Sequence, residues 1–176
     1  MIRGQMMTAV VRLGKPVLIA GSLITAVLAV GFDRSAVRVD STRVGPRPLE
    51  EQTQSSVVRD YLGAWKTLSS ALEQNRASLL DSAFVGTAKE RFAETIRQQQ
   101  ETGLQTQYRN FSHNIDLAFY SPEGMSIQLV DMLEYDLEIV DNGHVQGTQH
   151  VRSRYIAVLT PTEVRWKVRI LQAEPE

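Results

Sequence analysis

The sequence predicts an α+β domain, two amphipathic helices packed on a four-stranded antiparallel meander, preceded by a single N-terminal transmembrane helix. Three observations lead there. Apolar side chains fall on alternate positions through four runs between Thr106 and Leu171, the period of strands with one covered face. Upstream of them, apolar residues recur at three and four in two segments, the stripe of a surface helix. Nearer the start, the seventeen residues from Pro16 to Phe32 carry no charge.

Residues 1–15 form a short tail with Arg3, Arg12 and Lys15. The run 16–32 comes next, and as a helix it spans roughly 26 Å, short for about 30 Å of hydrocarbon but tolerable with flanking side chains that reach to the interface. It reads as a signal anchor that tethers the C-terminal domain; removal as a signal peptide is the alternative, with Val27-Leu28-Ala29 as small residues of the kind cleavage needs. The basic count on the two sides of the run is close, and so short a tail is expected to stay inside. This places the chain as a single-pass protein of the cell membrane with an extracytoplasmic C-terminal domain. Residues 33–50, with Gly45-Pro46-Arg47-Pro48, read as a flexible linker.

The domain proper is 51–176. Val57, Val58, Tyr61, Leu62, Trp65, Leu68 and Leu72 make one stripe between Thr53 and Gln74, with Trp65 expected in the core. In the second helix Phe84, Ala88, Phe92 and Ile96 repeat every four residues, Thr87 and Glu90 have capping-box spacing, and Gly103 supplies the stop. The strands carry Phe111, Ile115, Leu117 and Phe119; then Ile127, Leu129, Leu133, Tyr135, Leu137 and Ile139; then Val151, Tyr155, Ala157 and Leu159; then Val164, Trp166, Val168 and Ile170. Three-residue loops at Pro122-Glu123-Gly124 and Asp141-Asn142-Gly143 predict Ile115 opposite Asp131, Phe119 opposite Ile127, Asp131 opposite Ser153 and Leu129 opposite Tyr155. A turn tipped by Pro161-Thr162 predicts Ala157 opposite Trp166 and Tyr155 opposite Val168.

Composition excludes several function classes. No cysteine is present, so there is no disulfide framework and no thiol nucleophile. Residues 1–50 carry seven Lys and Arg against three acids and residues 51–176 carry twelve against seventeen, a mildly acidic domain on a basic leader. Such a domain is a poor nucleic-acid binder, and the leader suits anionic lipid headgroups. His113, His144 and His150 lack metal-ligand spacing, no cofactor motif is present, and no Gly-rich phosphate loop or nucleophile elbow occurs.

One residue breaks the pattern. Asp131 lies in the inward phase of an otherwise apolar strand, where an ionised carboxylate needs partners. Ser153 and Tyr155 are expected beside it and His113 on the other side, so Asp131, Tyr155 and His113 are the candidate catalytic set for proton abstraction next to a carbonyl. Structural hydrogen bonding of Asp131 is the competing reading. On the outward phase, Glu134, Asp136 and Glu138 face His150, Arg152 and Arg154, with Arg165, Lys167 and Arg169 on the last strand, a pattern of solvated cross-strand pairs. Val130, Met132, Ile156 and Val158 share that outer face as an apolar stripe, expected to bind a protein partner or a second copy of the chain.

Two helices followed by a long meander, with Tyr155 and Leu159 in a late strand and Trp166-Lys167 in the closing one, resemble the nuclear transport factor 2-like superfamily over about Thr53 to Leu171. The resemblance implies a curved sheet with helices over its concave face and a conical pocket, here lined by Trp65, Phe111, Ile115, Leu129, Ser153 and Trp166 and able to take a small apolar ligand. Members implied by it include isomerases and cyclases, non-catalytic binding modules and membrane-tethered assembly domains, so the fold alone names no activity. The favoured expectation is a membrane-anchored, non-catalytic binding or self-associating domain in an envelope complex. The alternatives are a small-molecule isomerase, cyclase or hydrolase with Asp131 as base, and a carrier of an apolar ligand.

Overall fold

A short strand, β1 (Ala36–Asp40), opens the fold, followed by helix α1 (Glu51–Glu73), a 3₁₀ turn at Ala77–Ser82 and helix α2 (Gly86–Thr102). Four strands complete it: β2 (Leu104–Tyr120), β3 (Ile127–Asp141), β4 (His144–Pro161) and β5 (Trp166–Ala173). The computed structural model describes residues 36–174. The expected membrane helix at 16–32 lies outside them, and among the described residues no helix is long and apolar enough to cross a membrane.

The sheet has five strands in the order β1-β2-β3-β4-β5, not four. β2 to β5 form the expected antiparallel meander, and β1 adds a parallel edge strand, with Val37 beside His113 and Val39 beside Ile115. The stretch expected as a flexible linker therefore contributes a strand. Ala36-Val37-Arg38-Val39-Asp40 alternates over only five residues, all of them exposed, too short a run to stand out against its charged surroundings. The chain stays docked beyond β1: the Tyr120 N–H donates to Gly45 O at 2.8 Å, the Arg47 N–H donates to Tyr120 O at 3.3 Å, and the Arg47 guanidinium sits 5.1 Å over the Tyr120 ring.

Both helices lie on one face of the sheet. Val57, Tyr61, Ala64, Trp65, Leu68 and Leu72 of α1 are buried against Ile115, Leu117, Ile127, Leu129, Leu133, Ala157 and Leu159. Each fully buried side chain of this size contributes about 1.5–3 kcal/mol relative to exposure, so this contact is the main support of the fold. α2 ends as predicted at Gly103, whose φ of 74° is left-handed. Its start differs: Thr87 makes no cap, and its hydroxyl donates instead to Arg169 O at 3.1 Å.

The inward phase holds along most of the strands while the pairing departs from expectation. Ile115 faces Asp131 as predicted, but the register shifts between Leu117 and Phe119, so Tyr120 turns inward opposite Ile127 and Phe119 turns out. The second hairpin closes through a two-residue turn, with Asn142 and Gly143 both at positive φ and Asp141 facing His144, where a three-residue loop was expected. A further shift lies between Ile139 and Val140, past which Asp131 faces Tyr155, Leu133 faces Ser153 and Leu129 faces Ala157. The two departures from the expected count add to a displacement of two residues along β4. An even displacement leaves β4 from Gly147 to Leu159 on its predicted faces, whereas Ile139 is exposed with Val140 buried beside it, and a shift between Val158 and Leu159 turns Ile170 outward and Leu171 inward. β4 runs on through Pro161, which faces Trp166, so Leu159 rather than Tyr155 meets Val168, and Val164 stands 80% exposed in the turn.

Candidate functional site

Asp131 is 0% exposed at the centre of β3, and three donors surround its carboxylate. The Tyr61 hydroxyl of α1 donates to Oδ2 at 3.0 Å, His113 Nδ1 of β2 lies 2.6 Å from the same oxygen, and the Asn114 backbone N–H donates to Oδ1 at 3.1 Å. Burial first, and then the neighbouring Asp131 charge, push the Tyr61 phenol well above its ordinary range, so it stays a donor.

The structure brings two members of the expected catalytic set together and separates the third. Asp131 and His113 touch, whereas the Tyr155 hydroxyl pairs with Tyr135 at 3.1 Å even though the two backbones of Asp131 and Tyr155 are directly opposed. Ser153 sits opposite Leu133 instead of Asp131. Tyr61 was missed, because its place on the apolar stripe of α1 reads as packing; the usable signal is that a buried phenol must find an acceptor, and Asp131 is the unmatched one.

Trp65 closes the concave face. Its ring centroid lies 5.1 Å from that of Tyr155, 6.0 Å from Phe111, 6.2 Å from Tyr135, 6.3 Å from His113 and 6.4 Å from Tyr108. Its indole N–H is buried without a hydrogen-bond partner. The six residues expected to line one pocket do not enclose one space. Trp65, Ile115 and Leu129 are buried in the core, Phe111 stacks on His113 at 14°, Ser153 is half-buried, and Trp166 packs on Tyr120 at the far end of β5. A cleft of about 200 Å³ opens between the helices and the sheet, with Trp65, Leu72, Arg91, Phe92, Tyr108 and Tyr155 in its walls. Neither Asp131 nor His113 lines it. Burial holds both Tyr108 and Tyr155 protonated far into the alkaline range, Tyr155 with help from the Tyr135 hydroxyl.

The outer face is built differently. Near the second hairpin it carries the expected ion pairs, Glu134 with Arg152 at 3.3 Å and Asp136 with His150 at 2.9 Å. The Asn110 amide, followed by His150, holds the Asp136 carboxyl below its ordinary range. The basic residues of β5 do not join this ladder; Lys167 Nζ donates to Asp81 O at 2.7 Å. Nearer the first hairpin the face turns apolar. Val130 faces Ile156, and Val158 faces Ile170, with Met132 alongside and Phe119 turned out next to Gln128. Val130, Met132, Ile156 and Val158 are half-buried by their neighbours within the sheet, and both helices pack on the opposite side. Among the described residues no cluster of His, Asp and Glu is placed to hold a metal ion.

No family model and no curated protein sequence matches the chain. Solved structures do. The intermembrane space region of chloroplast protein ARC6 superposes with a TM-score of 0.58 at 14% identity, covering 74% of this chain and 100% of that one. The domain shares the fold of that region. Weaker likenesses are ActVI-ORFA from Streptomyces coelicolor, at TM-score 0.47 and 12% identity over 68% of this chain and 95% of that one, and a putative scytalone dehydratase from Novosphingobium aromaticivorans, at 0.45 and 11% over 72% and 89%. At these identities the likeness is one of architecture.

Proposed function

We propose that this chain is a membrane-tethered, non-catalytic domain that binds a partner protein or a second copy of itself through the outer face of its sheet. The observation that carries the reading is the asymmetry of cover: both helices pack on the concave face, while Phe119, Val130, Met132, Ile156, Val158 and Ile170 gather on the other. Contiguous apolar side chains of that kind mark interaction surfaces on soluble domains. Tethering rests on the seventeen uncharged residues 16–32, which in this reading hold the domain on the extracytoplasmic side of the cell membrane as part of an envelope assembly. Against the isomerase, cyclase or hydrolase reading stands Asp131 itself, whose oxygens are taken by Tyr61, His113 and Asn114 with no exposure to solvent. A general base must reach the proton it removes.

The test is the mass in solution of a version beginning at Asp33, which keeps β1, with and without Ile156→Asp. Association that the substitution abolishes supports the proposal; a strict monomer that also captures no membrane protein sinks it. A second reading, a carrier of a small apolar ligand, draws on the cleft of about 200 Å³ between Trp65, Tyr108 and Tyr155, and predicts a small molecule that co-purifies with the chain and is lost in Tyr108→Arg.

A further inference from the structure

The middle of α1 and the β4–β5 turn face each other across an open cleft of about 410 Å³, walled by Arg59, Lys66, Thr67, Ala83, Val164 and Arg165. Asp60 ties the walls together: its Oδ2 accepts the Trp166 backbone N–H at 2.9 Å and its Oδ1 accepts Arg59 Nε at 3.0 Å. The cleft is therefore a fixed part of the fold. Gly63 also lines it, and a Cβ there would meet nothing within 4 Å, so the floor is open. Past the turn the surface dips again into a depression of about 400 Å³ that shares Val164 and Arg165 and adds Ser82, Thr162, Glu163 and Lys167.

In the first cleft the uncommitted charge is positive, while Glu163 adds an acid to the second. Among the described residues the side chains of Lys66 and Arg165 have no ion-pair or hydrogen-bond partner, in contrast to Arg59 with Asp60, Lys89 with Asp81 and Arg97 with Glu94. This departs from the rest of a domain in which seventeen acids outnumber twelve Lys and Arg over residues 51–176. Arg59 and Lys66 are seven residues apart on α1, hence on one face and about 10.5 Å apart along its axis. An extended chain rises about 3.4 Å per residue with alternate side chains on one face, so acidic side chains two and four residues apart lie about 7 and 14 Å apart and bracket that separation. Val164, 80% exposed, stands on the ridge between the two depressions.

We propose that this cleft docks an extended acidic segment of a partner protein, one that brings an apolar side chain to cover Val164. Two depressions in line across a ridge suit a chain more than a compact anion, and their concavity suits inserted side chains more than a flat bilayer surface. The proposal rests on the reading of the chain as a protein-binding domain, but it uses the helix layer and not the outer sheet face. Charges at such a rim set association rate and salt dependence, so binding is expected to weaken as salt rises.

The experiment titrates the full chain against a fluorescent peptide alternating glutamate with leucine, at low and at physiological salt. Saturable binding is expected, weakened by at least about tenfold in Lys66→Glu with Arg165→Glu, and unchanged in Arg97→Gln, whose cation lies outside the cleft. Gly63→Leu, which fills the floor and keeps every charge, is the second variant and is expected to block binding while the circular dichroism spectrum is retained. Binding that survives both variants overturns the proposal, as does complete displacement by inorganic pyrophosphate. Preferential binding of phosphatidylserine vesicles through Lys66 and Arg165 overturns it too, and assigns the cleft to a lipid surface. Repeating the titration in Ile156→Asp separates the two surfaces: peptide binding retained there leaves the cleft standing even where the outer-face reading fails.

Discussion

The two faces of one sheet solve opposite problems. On the concave face the inward side chains at the middle of the sheet are buried under the helices, and the one carboxylate among them, Asp131, is matched by donors from α1 and β2. On the convex face the same strands carry salt bridges at one end and uncovered apolar rows at the other. In this domain the chemically unusual residue and the uncovered apolar surface lie on opposite faces of the sheet. Asp131 is the chemically conspicuous group and is sealed in; Ile156 and Val158 are chemically bland and are left available for contact.

The comparison breaks most severely if the concave face is not solid. Trp65→Ala removes the ring that five aromatic neighbours surround, and the expected loss is about 3–5 kcal/mol by urea denaturation. A loss below about 1 kcal/mol would mean that the cone is open and the enzyme reading revives. Asp131→Leu leaves the donors from Tyr61, His113 and Asn114 without an acceptor, at about 1–3 kcal/mol for each unsatisfied buried group, so a total of at least about 3 kcal/mol is expected from the shift in urea midpoint. Near-neutral behaviour in that variant would place Asp131 in contact with water.

Alkaline titration sharpens the same point. Burial raises the phenols of Tyr61, Tyr108 and Tyr155 above the ordinary 10.0. A group whose pKa is higher in the folded state than in the unfolded one stabilises the fold fully below the unfolded value and loses that contribution as pH rises past it. The three phenols are thus expected to ionise together with unfolding above about pH 10, followed by tyrosinate absorbance and circular dichroism in parallel. Ionisation of all three ahead of unfolding would show a wet interior.

On the convex face smaller changes in stability are expected. Ile156→Asp should shift it by about 1 kcal/mol or less while the mass in solution falls to the monomer, and an unchanged mass would remove the contrast between the faces. Smallest of all is Asp136→Asn. Asn110 and His150 lower the pKa of Asp136 beneath 3.8, so its contribution is present above that value and lost as pH falls further, and the variant should show a slightly flatter acid limb in a stability profile.

Strand phase was legible because a period of two cannot be mistaken over runs as long as β3 and β4. Register was not: the shift past Leu117 carries no glycine to announce it, Gly147 beside the shift near Ile139 sits in a stretch that otherwise reads as continuous strand, and Phe119 and Ile170 stand on the face opposite to the one expected. Asn110, at a φ of 55°, is the residue type that tolerates such a kink and lies beside another shift in β2. Of the site, Asp131 and His113 were readable as a polar pair in an apolar phase. The Tyr61 contact depends on where α1 crosses the sheet, which no local pattern records, and the basic cleft depends on a turn and a helix separated by about a hundred residues.

The tip of the second hairpin constrains how this sequence can drift. Between its Asn142-Gly143 turn and Gly147 the residue without a cross-strand partner is Gln146, and regular pairing resumes past it at Ile139 and Gly147. Loss of Gln146 would leave every later pair in place, whereas a residue gained or lost in the paired stretch beyond Gly147 would exchange Tyr155, Ala157 and Leu159 for Arg154, Ile156 and Val158 in the core. The hairpin end thus supplies slack that the paired arm lacks, and relatives of this chain should vary in length there rather than between Gly147 and Tyr155.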